Sequence, residues 1–285
     1  MSCEVVITSS GAPAMRDVAS GEVMHPGTGP GVEPGELYVT PSRLTARLCD
    51  PRGDRSNLVL LDVGLGAASN AIAAWRVSES LPQTARRLEI VSFENDLCAL
   101  ELALRPEHAS SFGLTRTGSD AYAAASALLR DGHSETARTV WRLSRGDFPE
   151  RIAAEAADSA DVVYWDFYSA KTHPHLWSVA TLSALRRVCR SGATLHTYST
   201  ATSFRAALLL AGFMVGVGGR TGLRAETTIA AVDLADLEQP LDARWLARLG
   251  RSTAAFPADV ASEPEARAAA IAQVHACVQF SGGAR

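Results

Sequence analysis

Short apolar runs separated by helical stretches recur through the middle of the chain. The run at residues 58–61 is continuous rather than alternating, which is typical of a strand buried on both faces of a parallel sheet. Similar runs at residues 88–93, 137–143, 161–165 and 192–198 predict four more strands. Helical periodicity over the residues between them indicates helices that cross from one strand to the next. The pattern therefore predicts an α/β fold with a doubly wound sheet.

The two ends of the chain differ from this middle part. Residues 1–20 are small and polar, which predicts a loose start. The Gly- and Pro-rich residues 21–39 predict a loop or irregular hairpin with a short strand at 37–39. Apolar runs at 213–217 and 227–232 predict that the sheet closes with a final antiparallel strand.

We predict three parts along the 285 residues. Residues 1–50 form a loop or hairpin and a short helix that cover the site. Residues 51–235 form the main α/β domain. Residues 236–285 form a helical extension, because two further helical patterns follow the last strand.

A glycine-rich turn follows the first strand of the main domain. Asp62 ends the apolar run, Gly64 and Gly66 follow, and a helical pattern begins soon after. A strand, a glycine turn and a helix in that order form a nucleotide-cofactor loop, because glycines let a ligand approach the backbone. Ser69 stands where a dinucleotide loop has its third glycine. The spelling D-x-G-x-G resembles that of S-adenosylmethionine (SAM) methyltransferases; the alternative is a tight turn of another α/β protein.

Three more carboxylates stand at predicted strand ends, where ligands of open α/β sheets bind. Glu94 is placed to accept from two ribose hydroxyls, or else to cap the helix that begins near Asp96. Asp147 is placed to accept from an adenine amino group, or else to cap the helix before Pro149. Asp166 follows the strand at 161–165 and is predicted to face the same crevice.

Composition narrows the function further. The net charge of −4 argues against a protein that coats nucleic acid by bulk charge, although a local basic patch stays open. The five cysteines are scattered and form no C-x-x-C, which fits a reducing cytoplasm. His173 and His175 lack a third ligand at a suitable spacing, so we predict no metal site. No apolar run is long enough to span a membrane.

An ordered series of motifs resembles that of the MnmC-type tRNA methyltransferases. GLGAASNAIAAW is similar to the family's G-F-G-T-G-L-N-x-x-x-x-W, SFEND to S-F-E-K-x, and DFYSAKTHPHLW to D-G-F-A-P-x-x-N-P-x-M-W. TYSTATSFRAALLLAGF is similar to T-[FY]-[ST]-x-A…V-R-x-x-L-x-x-A-G-F, and GEVMHPGTGPGVE to G-E-x-Y-H-S-x-x-G-A-x-x-E. The resemblance extends roughly over residues 20–232.

The resemblance implies a class I SAM-dependent methyltransferase with a Rossmann-like fold. It would methylate the 5-aminomethyl group of a modified wobble uridine in tRNA, a transient partner. Some members carry a fused flavin-dependent oxidase domain; this chain is expected to be a stand-alone methyltransferase part, with any such oxidase acting upstream as a separate protein.

The resemblance also implies roles for individual residues. Asn70 joins the cofactor loop, and Asp166 is the catalytic base that accepts a proton from the acceptor amine. Glu22 and His25 lie on the acceptor side, and Glu33 stands in the same Gly-rich segment; an exposed loop residue is the alternative for each of the three. Tyr168 is placed to stack on the acceptor ring, or else to pack in the core.

The chain departs from the family spelling at three places, one of which is His25-Pro26 where the family has His-Ser. Ala68 replaces the third glycine of the cofactor loop, and Phe167, Tyr168, Ser169 and Ala170 replace Gly-Phe-Ala-Pro after the site aspartate. These changes flank the acceptor site. They keep two alternatives open: the same fold acting on a small-molecule amine or another nucleic acid, and a non-catalytic SAM-binding module.

Overall fold

The computed structural model describes residues 3–9, 11–24, 31–50, 56–114, 120–219, 226–252, 256–257, 259–260 and 263–281. Ten strands lie in these ranges: β1 (Cys3–Ile7), β2 (Pro13–Asp17), β3 (Leu58–Val63), β4 (Leu88–Glu94), β5 (His133–Glu135), β6 (Thr139–Arg145), β7 (Ala160–Trp165), β8 (Cys189–Thr197), β9 (Met214–Gly218) and β10 (Thr227–Ala231).

Eleven α-helices are found in the same ranges, and most of them connect strands. They are α1 (Leu44–Cys49), α2 (Ser69–Ser80), α3 (Cys98–Ala103), α4 (Pro106–Ala109), α5 (Asp120–Asp131), α6 (Phe148–Ala154), α7 (Val179–Val188), α8 (Thr202–Leu210), α9 (Ala243–Arg251), α10 (Pro264–His275) and α11 (Val278–Ser281).

Eight strands form one sheet in the order β5-β6-β4-β3-β7-β8-β10-β9. The five strands from β6 to β8 are parallel, β10 runs antiparallel to β8, and β9 runs antiparallel to β10. The predicted doubly wound sheet with a final antiparallel strand is therefore confirmed. The order reverses beside β3, and ligands of open α/β sheets bind at the carboxyl ends of the strands near such a point.

Alternate residues of the central strands point to opposite faces of the sheet, and each face is covered by helices. On one face, Leu58, Leu60 and Tyr164 pack in a cluster that includes residues of α1, α2, α3 and α5. On the other face, Leu61 and Trp165 pack with residues of α6 to α10. Burial on both faces explains why these strands are continuous apolar runs in the sequence.

Two predictions for secondary structure are wrong, and one short strand has no prediction. Within the predicted loose start, β1 and β2 instead pair as an antiparallel hairpin that packs on α3, where the Cys3 N–H donates to Cys98 Sγ over 3.0 Å. The short strand at 37–39 is instead part of a π-helical turn, Gly35–Val39, closed by the Thr40 N–H donating to the Gly35 carbonyl. The short edge strand β5 was not predicted.

The described part of the chain contains no helix that is long and apolar enough to cross a membrane.

Candidate active site

A cavity of about 340 Å³ lies at the carboxyl ends of the central strands, a size suited to a small molecule. Its walls come from the residues that follow β3, β4, β6 and β7, with Tyr198 after β8. The N-terminal part covers it: Asp17 of β2 and residues 22–24 lie on the wall, together with Glu33. The sheet and the hairpin thus build one cavity.

The glycine turn after β3 forms one wall. The Gly64 and Leu65 N–H groups both donate to the Phe93 carbonyl, over 3.2 and 3.3 Å. Gly64 has a φ of +92°, and a Cβ placed on it would lie 2.6 Å from the Asp166 carbonyl oxygen. Ala68, where the related family has glycine, also has a left-handed backbone with φ of +65°. The turn therefore needs a conformation that glycine adopts without strain.

Glu94 lies at the end of β4 and faces the cavity. Its Oε2 accepts from the Gly66 N–H over 3.1 Å, and its Oε1 accepts from the N–H groups of Asn95 and Asp96. Burial raises the pKa of Glu94 above its usual value, although these backbone bonds oppose the rise. The carboxylate therefore connects the two strand-end turns, but it does not cap α3, whose N-cap residue is Leu97 with no capping bond from a side chain.

Asp166 follows β7, and its side chain is fixed from α2. The Asn70 Nδ2 donates to Asp166 Oδ2 over 2.7 Å, and the Asp166 N–H donates to the Val63 carbonyl over 2.9 Å. Asp166 lines the cavity, whereas Asn70 is only 3% exposed and lies behind it. Asn70 thus touches the carboxylate predicted to be catalytic.

Asp62 lies beneath the glycine turn. It is not one of the described residues that form the cavity wall. It is 1% exposed, its Oδ2 accepts from Ser92 Oγ over 2.7 Å, and Ser92 accepts from Trp141 Nε1 over 2.9 Å. Its Oδ1 has no hydrogen-bond partner in the described part of the chain. Burial raises the pKa of Asp62 to about 7; the Asp166 and Glu94 carboxylates add to this rise and the Ser92 bond opposes it.

We expect Asp62→Asn to remove a pH-dependent loss of stability. The Asp62 carboxyl group titrates near pH 4 in an unfolded chain but near pH 7 in the fold, so folding favours its protonated form. The stability that this group contributes is full below pH 4 and is lost as the pH rises to 7. We measure the free energy of unfolding in urea at pH 4.5 and at pH 8. Relative to the wild type, Asp62→Asn should be more stable at pH 8 than at pH 4.5 by roughly 1–4 kcal/mol. The exposed Asp120→Asn is the control, and an equal pH dependence in wild type and Asp62→Asn would contradict the shift.

Asp147 stands at the N-cap position of α6, but its side chain makes no capping hydrogen bond. The side chain is half-exposed on the cavity wall, and its Oδ1 lies 3.6 Å from His175 Nε2. Because the Asp147 side chain makes no capping hydrogen bond, its carboxylate is available to a ligand.

The residues predicted on the acceptor side fall into two groups. Glu22 and Tyr168 both line the cavity, whereas His25 lies outside the described residues. The ring of Tyr168 lies 6.1 Å from that of His173, and burial raises the pKa of its hydroxyl. Glu33 is 7% exposed and lines the cavity, so it is not an exposed loop residue.

Some cavity residues had no signal in the sequence. Cys3 and Asp17 of the hairpin line the cavity, and so does Ser169. The Ser169 N–H also donates to Glu22 Oε2. Glu22 and Ser169 are separated by 147 positions, so no local spacing relates them. The serine itself was visible only as a departure from the family spelling.

The observed residues fit a SAM-type cofactor. Gly64 and Gly66 line the cavity with backbone and no side chain, and Glu94 and Asp147 present carboxylate groups on its wall. The orphan Oδ1 of Asp62 lies beneath the turn, where a cationic ligand would offset its burial. These features match a ligand with a positive charge at one end and a nucleoside at the other.

Comparisons with known proteins agree with this geometry. Residues 117–233 match the family described as S-adenosyl-L-methionine-dependent methyltransferase. The chain is 28% identical over 226 residues to the "tRNA 5-methylaminomethyl-2-thiouridine biosynthesis bifunctional protein MnmC" of Methylibium petroleiphilum, covering 79% of this chain and 34% of that protein. It is 31% identical over 216 residues to the protein of the same name from Aromatoleum aromaticum, covering 73% and 32%.

The chain spans about a third of the length of these curated relatives. Among solved structures, the crystal structure of MnmC2 from Aquifex aeolicus matches with a TM-score of 0.69 and 24% identity, over 97% of this chain and 86% of that one. This match confirms the predicted fold class.

Proposed function

We propose that this chain, an S-adenosyl-L-methionine-dependent methyltransferase related to the MnmC proteins, methylates the 5-aminomethyl group of a modified wobble uridine in tRNA. The observation that carries the proposal is the Asp166 carboxylate, fixed by Asn70 on the wall that also holds the glycine turn. The ordered motif series and the name of the curated relatives support the acceptor.

When bound, the cofactor supplies a methyl group on a positively charged sulfur atom. On the cofactor side, the backbone of Gly64 and Gly66 would hold the amino-acid end, with the Asp62 carboxylate beneath it. The Glu94 carboxylate would accept from the ribose hydroxyls. The Asp147 carboxylate would accept from the adenine amino group, a role that its lack of a capping bond supports.

On the acceptor side, Asp166 has two tasks. An alkylammonium ion has no lone pair, so the acceptor amine must lose a proton before it reacts. The Asp166 carboxylate would orient the amine and take that proton, and the Asn70 bond would keep the carboxylate in one orientation. Tyr168 would stack on the acceptor ring, and Glu22 would act through the loop that it holds.

The charge of the cavity wall supports an amine acceptor. Glu22, Glu33 and Asp166 line it, and the described lining residues include no lysine or arginine. A cationic amine is favoured in such a field. The same observation supports the alternative acceptor, a small cationic amine, so the wall alone does not separate the two.

The surroundings of the cavity bear on the macromolecular partner. Lys171 is the only lysine of the sequence, and it is exposed in the loop that follows Asp166. A cation at this place suits a phosphate of bound tRNA. We infer that the enzyme acts in the cytoplasm on tRNA whose aminomethyl group a flavin-dependent oxidase activity supplies.

Nucleoside mass spectrometry tests the proposal directly. tRNA from cells that lack the methyl group is incubated with the protein and methyl-labelled SAM, then digested. We expect one labelled methyl group on the wobble nucleoside. Label only on added small amines would favour the alternative acceptor. No SAM affinity by calorimetry would favour the non-catalytic module.

A further inference from the structure

Glu22 makes a two-point contact with the loop that carries Asp166. Its Oε2 accepts from the Ser169 N–H over 2.9 Å, and its Oε1 accepts from the Ser169 hydroxyl. Glu22 is itself fixed to the hairpin, because its carbonyl accepts from the Asp17 N–H over 2.9 Å. The N-terminal part therefore holds the loop at one residue.

The remaining bonds of this loop come from the sheet domain itself. The Tyr198 hydroxyl donates to the Phe167 carbonyl and the Trp177 Nε1 donates to the Tyr168 carbonyl, each over 2.9 Å. The Ser169 carbonyl accepts from the Thr172 N–H over 3.1 Å, which closes a turn. Glu22 thus adds the contact that joins this turn to the hairpin.

We propose that Glu22 is a positioning residue. By holding the loop formed by residues 167–169, it orients Asp166 and Tyr168 toward the acceptor. The inference rests on the proposed function for its catalytic consequence only. Because each carboxylate oxygen of Glu22 already accepts from Ser169, the residue acts on the acceptor through the loop.

Ala170 explains why the loop depends on this contact. It is the second residue of the turn from Ser169 to Thr172, a position that favours proline because the ring fixes φ. The related family has proline in its spelling there, and Ala170 lacks that restraint. Among the described hydrogen bonds, none uses the Ala170 N–H, and the residue is exposed, so a proline there removes no bond of the turn.

Hydrogen exchange of the Ser169 amide tests the contact without any assay of activity. We expect Glu22→Ala to speed this exchange by about tenfold to a hundredfold, because a charge-assisted bond to the N–H is lost. Ser169→Ala keeps the N–H bond, so we expect a smaller change. Adding Ala170→Pro to Glu22→Ala should slow exchange again. Glu36→Ala, an exposed change in the same part of the chain, is the control.

Methyl-transfer kinetics on the same variants test the consequence. We expect Glu22→Ala to lower kcat by about tenfold with the KM for SAM unchanged, and Ala170→Pro to restore most of that loss. Unchanged exchange in Glu22→Ala overturns the inference. Exchange restored by Ala170→Pro without recovery of kcat also overturns it, because Glu22 would then contact the acceptor directly. If the wild type methylates no tRNA, the proposed acceptor fails while the exchange result still decides the contact.

Discussion

Asp166→Asn is expected to lower kcat for methyl transfer by about 10²- to 10⁴-fold, the usual effect of losing a general base. The amide keeps the shape of the carboxylate and can still accept from Asn70 Nδ2, but it cannot take a proton. The fold and SAM affinity should therefore change little. Single-turnover transfer of a labelled methyl group, with SAM affinity by calorimetry, separates chemistry from binding.

Asp161→Asn provides the matched control for this variant. Asp161 lies near the amino end of β7, whereas Asp166 follows the carboxyl end of that strand. The Asp161 Oδ2 accepts from the Val59 N–H over 2.8 Å. An asparagine there can keep that bond, and the residue is away from the cavity wall, so kcat should stay near the wild-type value. Retention of more than about a tenth of kcat in Asp166→Asn would exclude proton abstraction by this group.

Gly64→Ala is expected to destabilise the fold by roughly 3–5 kcal/mol and to abolish activity. Its φ of +92° is strained for any residue with a Cβ, and the new atom would lie 2.6 Å from the Asp166 carbonyl oxygen and 2.9 Å from its carbon. Both are backbone atoms, so relief requires the loop carrying Asp166 to move away from Asn70. Urea unfolding and methyl transfer measure the two effects.

Gly132→Ala separates backbone strain from this overlap. Gly132 also has a positive φ, +68°, but nothing lies within 4 Å of an added Cβ. This variant should lose only about 1–2 kcal/mol and keep its activity. Equal losses in the two variants would mean that the close approach at Gly64 has no energetic weight.

The parts that sequence analysis predicted well are those with a local physical cause. Strands covered on both faces must be apolar throughout, so β3, β4 and β7 are visible as runs. Because the carboxyl ends of parallel strands meet at one edge, the polar residues after them, Glu94 and Asp166, are correctly expected to share a cavity.

The parts that were missed depend on distant contacts. The hairpin is two five-residue strands, and its support comes from α3, about 80 residues later. The π-helical turn contains residues with strand propensity, but Leu37 and Tyr38 are buried at adjacent positions, which tertiary packing requires and alternation does not predict. Asp62 shows the same limit: its position in the loop motif is local, whereas its burial depends on Ser92 and the layer beyond.

The place of β3 at the centre of the sheet also affects how the protein is made. One neighbour, β4, follows within about 30 residues, but the other is β7, and the Val59 N–H finds its Asp161 partner 102 residues later. At a synthesis rate of about 5–20 residues per second, one edge of β3 waits roughly 5–20 s for its partner. During that time a row of leucines and unpaired backbone groups is open to other nascent chains, so this strand edge is an aggregation hazard during synthesis.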